Sequence, residues 1–272
     1  MTFQVLLSAM HLDDENYIDS LNICSDSVVI NQCDRENAKE IEHVCKDGQV
    51  RRVRYIETKE RGLSKSRNMA IRNASADICI LCDNDVEYVD GYENIILKAF
   101  SEREDADAIV FYIKRPEKPV PNYPNERKMD YLSALKIFSP EIAFRRESIK
   151  DFEFNELFGA GAKYKMGEEN IFLYDLLKAK KKIYYLPIQI AELREEESTW
   201  FTGFDKEFFI TRGANYGAMS KAFSHVLIWQ FALRKINLYK ENCSLFDAVR
   251  HMYRGRRQYF NEEKQYSNIS CG

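Results

Sequence analysis

Asp83 and Asp85 stand two positions apart at the end of Ile78–Cys82, an apolar and thiol run that reads as a buried strand. An isolated buried carboxylate is costly, so a pair at a strand end calls for water, hydrogen bonds or a cation opposite it. Hard oxygen ligands suit Mg2+ or Mn2+, which commonly link one or two carboxylates to a substrate diphosphate. An EF-hand loop would need Gly where Tyr88 stands and Glu where Asn94 stands, so that reading fails. The alternative is a strand-to-helix turn capped by Asp.

Two further clusters carry chemistry. In Glu60–Ile71, Gly62 permits a tight approach, Ser64 is placed to cap a helix, and Lys65 and Arg67 project from its first turn. Such a helix start can hold an anion, although an ordinary solvated helix end fits the same residues. In Met166–Phe172, Glu168 and Glu169 open a helix after a glycine segment. They can favour the helix dipole, or present a general base to a substrate hydroxyl.

The elements needed to position these groups alternate. Phe3–Ser8, Ser27–Ile30, Ile78–Cys82 and Ala108–Ile113 read as strands, with a hairpin about Lys46–Gln49 and helical spacing after Leu63 and after Gly91. That order predicts an α/β fold with a mostly parallel central sheet flanked by helices. Ligands of such sheets bind beyond the carboxyl ends of the strands, where Ser8, Asn31-Gln32 and Asp83-Asn84-Asp85 all fall. Pro116–Pro124 reads as an extended loop, Ile142–Arg146 and Lys182–Ile188 as strands, and Gly203 onward as a C-terminal helical extension.

Bulk properties narrow the function. The 272 residues carry 40 Lys and Arg against 43 Asp and Glu, a formal charge of −3. A general nucleic-acid binder would need a basic footprint. Seven scattered cysteines and no basic, apolar leader fit a reduced cytosolic setting. Cys79 and Cys82 would point to opposite faces of a strand, as core thiols rather than a zinc or redox pair. No apolar run is long enough to span a bilayer. The C-terminal stretches HVLIWQFALRKINLYK and VRHMYRGRRQYF mix basic and apolar residues. They either pack on the catalytic part or a second subunit, or lie on an anionic membrane.

Taken in order, the three motifs resemble those of the family 2 glycosyltransferases with the GT-A fold. The closest stretch is GLSKSRNMAIRNASADICILCDNDVEY, with GEEN at the base segment and EEESTWF, Glu195–Phe201, like a later segment near the acceptor. The resemblance covers roughly Phe3–Phe201 and implies a catalytic domain over 1–202 and an extension over 203–272. It also implies roles. Ser8, Asn31, Gln32, Gly62, Leu63, Ser64, Arg67, Asp83 and Asn84 would line the nucleotide site. Asp83 and Asp85 would hold Mn2+ or Mg2+, Glu169 with Glu168 beside it would be the base, and Trp200 and the proline-rich loop would meet the acceptor. Three departures stand out: Asn31-Gln32 in place of a frequent Asp-Asp pair, Glu in place of Asp at 169, and no histidine near EEESTW as a third metal ligand.

The expected activity is a metal-dependent, inverting, hexosyl-type transfer. It would take a sugar from a nucleotide donor, UDP foremost, to a hydroxyl of a glycan or lipid-linked glycan, in synthesis of surface polysaccharide or glycoconjugate. A homodimer and a peripheral position at the inner face of the membrane are further expectations. The rivals are a sugar nucleotidyltransferase, for which SAMHLDDEN lacks the Gly-rich basic loop after the first strand, and a non-catalytic sugar- or metal-binding module.

Overall fold

The computed structural model describes residues 1–14, 17–46, 48–194 and 203–269. In chain order the strands are β1 (Phe3–Met10), β2 (Ser27–Gln32), β3 (Asn37–Val44), β4 (Val50–Thr58), β5 (Ile78–Asp83), β6 (Val86–Tyr88), β7 (Ala108–Lys114), β8 (Arg127–Lys128), β9 (Ile142–Arg145) and β10 (Ile183–Leu193). The helices are α1 (Tyr17–Ser20), α2 (Leu63–Asn73), α3 (Tyr92–Glu102), α4 (Arg146–Ile149), α5 (Glu168–Lys178), α6 (Lys206–Met219), α7 (Ser224–Arg234), α8 (Ile236–Tyr239) and α9 (Leu245–Ile269).

The strands form one sheet in the order β3-β4-β2-β1-β5-β9-β7-β10-β6, with β8 beside β10. Its centre, β4-β2-β1-β5, is parallel throughout, as expected, and antiparallel pairs flank it. Register brings the expected polar residues to one rim: Ser8 lies opposite Asp83, and Ala9 opposite Asn31. The hairpin forms between β3 and β4. The last strand runs on past Ile188, because the irregular pairing between Tyr185 and Gln189 accommodates Pro187. Strand β6 was not expected. Directly after Asp85 it pairs with the end of β10, so the acidic turn is clamped between two strands.

Both faces of the sheet are covered, which is why its central strands read as unbroken apolar runs. Cys79 and Leu81 belong to the core under α2, α5, α6, α7 and α9; Ile78, Ile80 and Cys82 belong to the core under α1 and α3. The two thiols therefore face opposite layers. Burial pushes both up, Cys79 to about 12, as befits inert core groups.

The C-terminal helices share the first of these cores. Helices α6 and α9 cross with their backbones in contact. A Cβ on Gly213 would stand 1.8 Å from the Met252 carbonyl oxygen, and one on Gly255 would stand 1.8 Å from that of Ile210. Among the described residues no helix is long and apolar enough to cross a membrane.

Candidate active site

Arg67 stands at the centre of the rim, on the second turn of α2, and only 1% of its side chain is exposed. Its Nη1 donates to Glu168 Oε1 at 2.7 Å. Its Nη2 donates to both carboxylate oxygens of Asp83, at 2.9 and 3.0 Å, and to Ser139 Oγ at 2.6 Å. The guanidinium lies over the Phe154 ring. Burial works against its charge, but Asp83 and Glu168 outweigh burial and hold the guanidinium above its usual value. Arg67 thus joins the D-x-D strand to the first residue of the glutamate pair. Its Nη groups are engaged by two carboxylates and a serine.

Glu168 and Glu169 open α5 in different surroundings. Gly167 caps that helix at a φ of 90°, and its carbonyl accepts from Asn215 Nδ2 at 2.8 Å. A Cβ at Gly167 would lie 2.3 Å from that same amide nitrogen, so both the backbone angle and the space demand glycine. Helix α6 therefore fixes where α5 begins. Glu168 turns inward to Arg67. Glu169 keeps part of its surface exposed, and among the described residues no hydrogen bond ties it to another side chain. Its carboxyl is set deep enough that burial, and then the charge of Glu168, push it up to about 8. A carboxylate so raised is a stronger base than an ordinary one.

Asp83 and Asp85 are both partly buried. The Asp85 carbonyl accepts from Arg194 N at 2.8 Å, and the Asn84 carbonyl accepts from Tyr17 Oη at 2.8 Å, so the acidic turn is held by its backbone. Among the described residues no three His, Cys, Asp or Glu side chains gather as a metal cluster. Asp83 accepts from Arg67, and the two carboxylates stand together at the end of β5. Carboxylate oxygens at such a rim are of the chemical type that suits a hard divalent ion completed by substrate and water.

The remaining predicted nucleotide contacts are turned toward the chain itself. Asn31 is fully buried: its Oδ1 accepts from Leu12 N at 2.9 Å, and its Nδ2 donates to Leu12 O at 2.9 Å and to Tyr55 Oη at 3.0 Å. Its amide fixes the loop after β1. Gln32 Nε2 donates to Gly62 O at 3.1 Å. Ser64 does not cap α2, because Gly62 does; its hydroxyl donates to Phe158 O at 2.7 Å, and Leu63 N donates to Ala160 O at 2.9 Å. Gly62–Ser64 thereby stitch the rim to the glycine segment that leads into α5. Ser8 Oγ accepts from Ser66 Oγ at 2.8 Å.

Three residues of this frame were missed. Ser139 sits on a short turn before β9 and Asn215 in α6, and no local pattern marks either. Asn68, the third residue of S-R-N, clasps the Phe154 backbone through both ends of its amide at 2.7 and 2.9 Å. Trp200 and the rest of Glu195–Phe201 lie outside the described residues.

Comparison with known proteins is consistent with this frame. The profile of the family described as "Glycosyl transferase family 2" matches residues 26–172. Among solved structures, S. aureus TarS 1–349 in complex with UDP-GlcNAc is similar with a TM-score of 0.59 at 17% identity, over 89% of this chain and 74% of that one. The same fragment with UDP gives a TM-score of 0.57 at 14% identity over the same shares. The longer S. aureus TarS chain gives 0.58 at 14% identity, with 45% of that chain covered. Comparison with curated proteins gave no match.

Proposed function

The chain belongs to glycosyl transferase family 2, and from that premise we propose that it moves a sugar from a UDP-sugar to a hydroxyl of a glycan or lipid-linked glycan, with inversion. The observation that carries this reading is the Arg67 bridge. It ties the acidic turn to Glu168, which lies 101 residues beyond Arg67 along the chain, at one rim of the sheet. The similarity to a TarS fragment solved with UDP and with UDP-GlcNAc supports the choice of nucleotide.

In the proposed reaction the acceptor hydroxyl attacks the anomeric carbon on the face opposite the diphosphate. The new C–O bond forms as the bond to the diphosphate breaks, and the nucleoside diphosphate leaves with that electron pair. Glu169 takes the proton of the attacking hydroxyl. Glu168 holds Arg67 and leaves Glu169 as the carboxyl open to a ligand. A positioned base is worth about 10²- to 10⁴-fold in rate. Asp85 would hold Mn2+ or Mg2+, and such an ion, when bound, stabilises charge on a diphosphate leaving group. Residues 1–202 form the catalytic unit in this reading, and 203–272 an extension that braces α5 through Asn215. The acceptor would belong to a surface polysaccharide or glycoconjugate.

The test is a thermal-shift panel of UDP, dTDP, GDP and CMP with and without Mn2+, followed by an assay for free nucleoside diphosphate released from the matching sugar nucleotide. UDP should raise the melting temperature with Mn2+, and Asp85→Ala should lose that rise. Glu169→Gln should keep the rise and lose at least 10²-fold in release. No shift with any nucleotide would remove the donor site, and wild-type release by Glu169→Gln would remove the base.

A further inference from the structure

Helix α7 is apolar on two opposite sides. Leu227, Ile228 and Ala232 are buried in the core shared with α5, α6 and α9. Phe223, Val226, Trp229 and Leu233 recur at helical spacing round the other side, where they are 40, 54, 40 and 57% exposed. A helix with one buried face ordinarily turns polar residues outward, and a contiguous apolar stripe left open marks an interaction surface. Among the described residues nothing covers this one.

Its surroundings state what it fits. Lys221 precedes the stripe, Arg234 and Lys235 end it, Lys240 follows, and all four are exposed. Residues 203–272 hold eleven Lys and Arg against six Asp and Glu, in a chain whose formal charge is −3, so positive charge is concentrated in this part. Phe223 is also part of a groove of about 520 Å³ with Tyr131, Leu132 and Tyr174. Among the described residues the buried Tyr174 hydroxyl has no hydrogen-bond partner. The apolar surface therefore continues from α7 toward the far end of α5, the helix that begins with Glu168 and Glu169.

We propose that this stripe seats the protein on an anionic lipid bilayer. Helix α7 lies along the interface with Phe223, Val226, Trp229 and Leu233 toward the acyl chains. Lys221, Arg234, Lys235 and Lys240 meet the headgroups. Indole suits that depth because it has an apolar body and a polar edge. A second copy of the chain is the poorer occupant. A two-fold contact through this face would bring its framing cations toward those of its mate. Nothing in this surface depends on the sugar-transfer chemistry.

The experiment is vesicle co-sedimentation of the full chain with POPC alone and with POPC containing POPG, at low and high salt. Light scattering of the protein in solution accompanies it. Binding should require POPG and weaken in high salt. Trp229→Ser/Leu233→Ser should lower the partition coefficient at least about 10-fold, given the apolar area these side chains expose. Arg234→Glu/Lys235→Glu should do the same; these sites are exposed, so a general folding defect would not explain the loss. The UDP thermal shift should persist in both variants, which separates this surface from the donor site. No binding to POPG vesicles, or equal binding to POPC, overturns the proposal. So does a dimer that the serine pair dissociates, which would assign the stripe to a second copy.

Discussion

Arg67→Met puts the centre of the rim to the test. The substitution keeps an unbranched side chain of similar reach against Phe154 but removes the cation that faces both Glu168 and Asp83. Asp83 is 18% exposed and can recruit water, whereas Glu168, 6% exposed, cannot do so freely. The cheapest response of a stranded, buried glutamate is to take up a proton. For a glutamate with an ordinary pKa near 4.3, that costs about 3.7 kcal/mol at pH 7 and about 1 kcal/mol at pH 5. The first figure falls within the roughly 3–5 kcal/mol expected when one partner of a buried ion pair is deleted. Burial disfavours the charged form of a carboxyl left without its cation, so the variant loses stability as pH rises. Urea unfolding followed by intrinsic fluorescence should therefore show a defect of about 4 kcal/mol at pH 7 that shrinks by about 2–3 kcal/mol at pH 5. A loss below about 1 kcal/mol at pH 7, or one equal at both pH values, would refute the view that Arg67 is the counter-ion of buried Glu168.

Glu168→Gln can still accept from Arg67 but removes the negative charge beside Glu169. The acid limb of kcat/KM, expected near the Glu169 value of about 8, should move to lower pH while burial keeps it above the usual carboxyl range; an unmoved limb would contradict the coupling. Glu141 is buried on the turn that carries Ser139, and burial raises it to about 7. Its folded pKa lies above its unfolded one, so its stabilisation is present in acid and lost as pH rises through about 7. Glu141→Gln should flatten the stability profile between about pH 5 and 8, which denaturation at both ends would show. Gly213→Ala drives a methyl into the Met252 carbonyl, and the helices must part. A loss of at least about 1–3 kcal/mol by thermal or urea melting is expected, and wild-type stability would contradict the close crossing.

The parallel centre of the sheet was legible because each strand announces itself locally. Ile78–Cys82 is an apolar run with a turn at each end, and alternation then assigns Cys79 and Cys82 to opposite layers. The rim followed from the same reasoning, and it lies where expected. Side-chain partners were not legible. Arg67 meets Glu168 across 101 residues, and no spacing rule relates such positions. Asn31 shows a subtler limit. An amide at a strand end can serve a ligand or its own loop equally well, and only the path of the chain at Leu12 decides. Asn215 and Ser139 carry no pattern because each meets the site through a single contact from an unrelated element. Strand β6 was hidden because three residues are too few for alternation to show.

The clasp of Gly167 by Asn215 also sets an order of events during synthesis. The rim at the ends of β1, β2 and β5 is specified by the first third of the chain. The helix bearing Glu168 and Glu169 is held at its start by α6, and α6 is in turn pressed against α9, which ends at Ile269. A ribosome that has released the sheet has therefore not released the support of the glutamate helix. Long-range contacts of this kind close last and slow folding. A chain emerging short of α9 would carry the acidic turn without a settled glutamate pair.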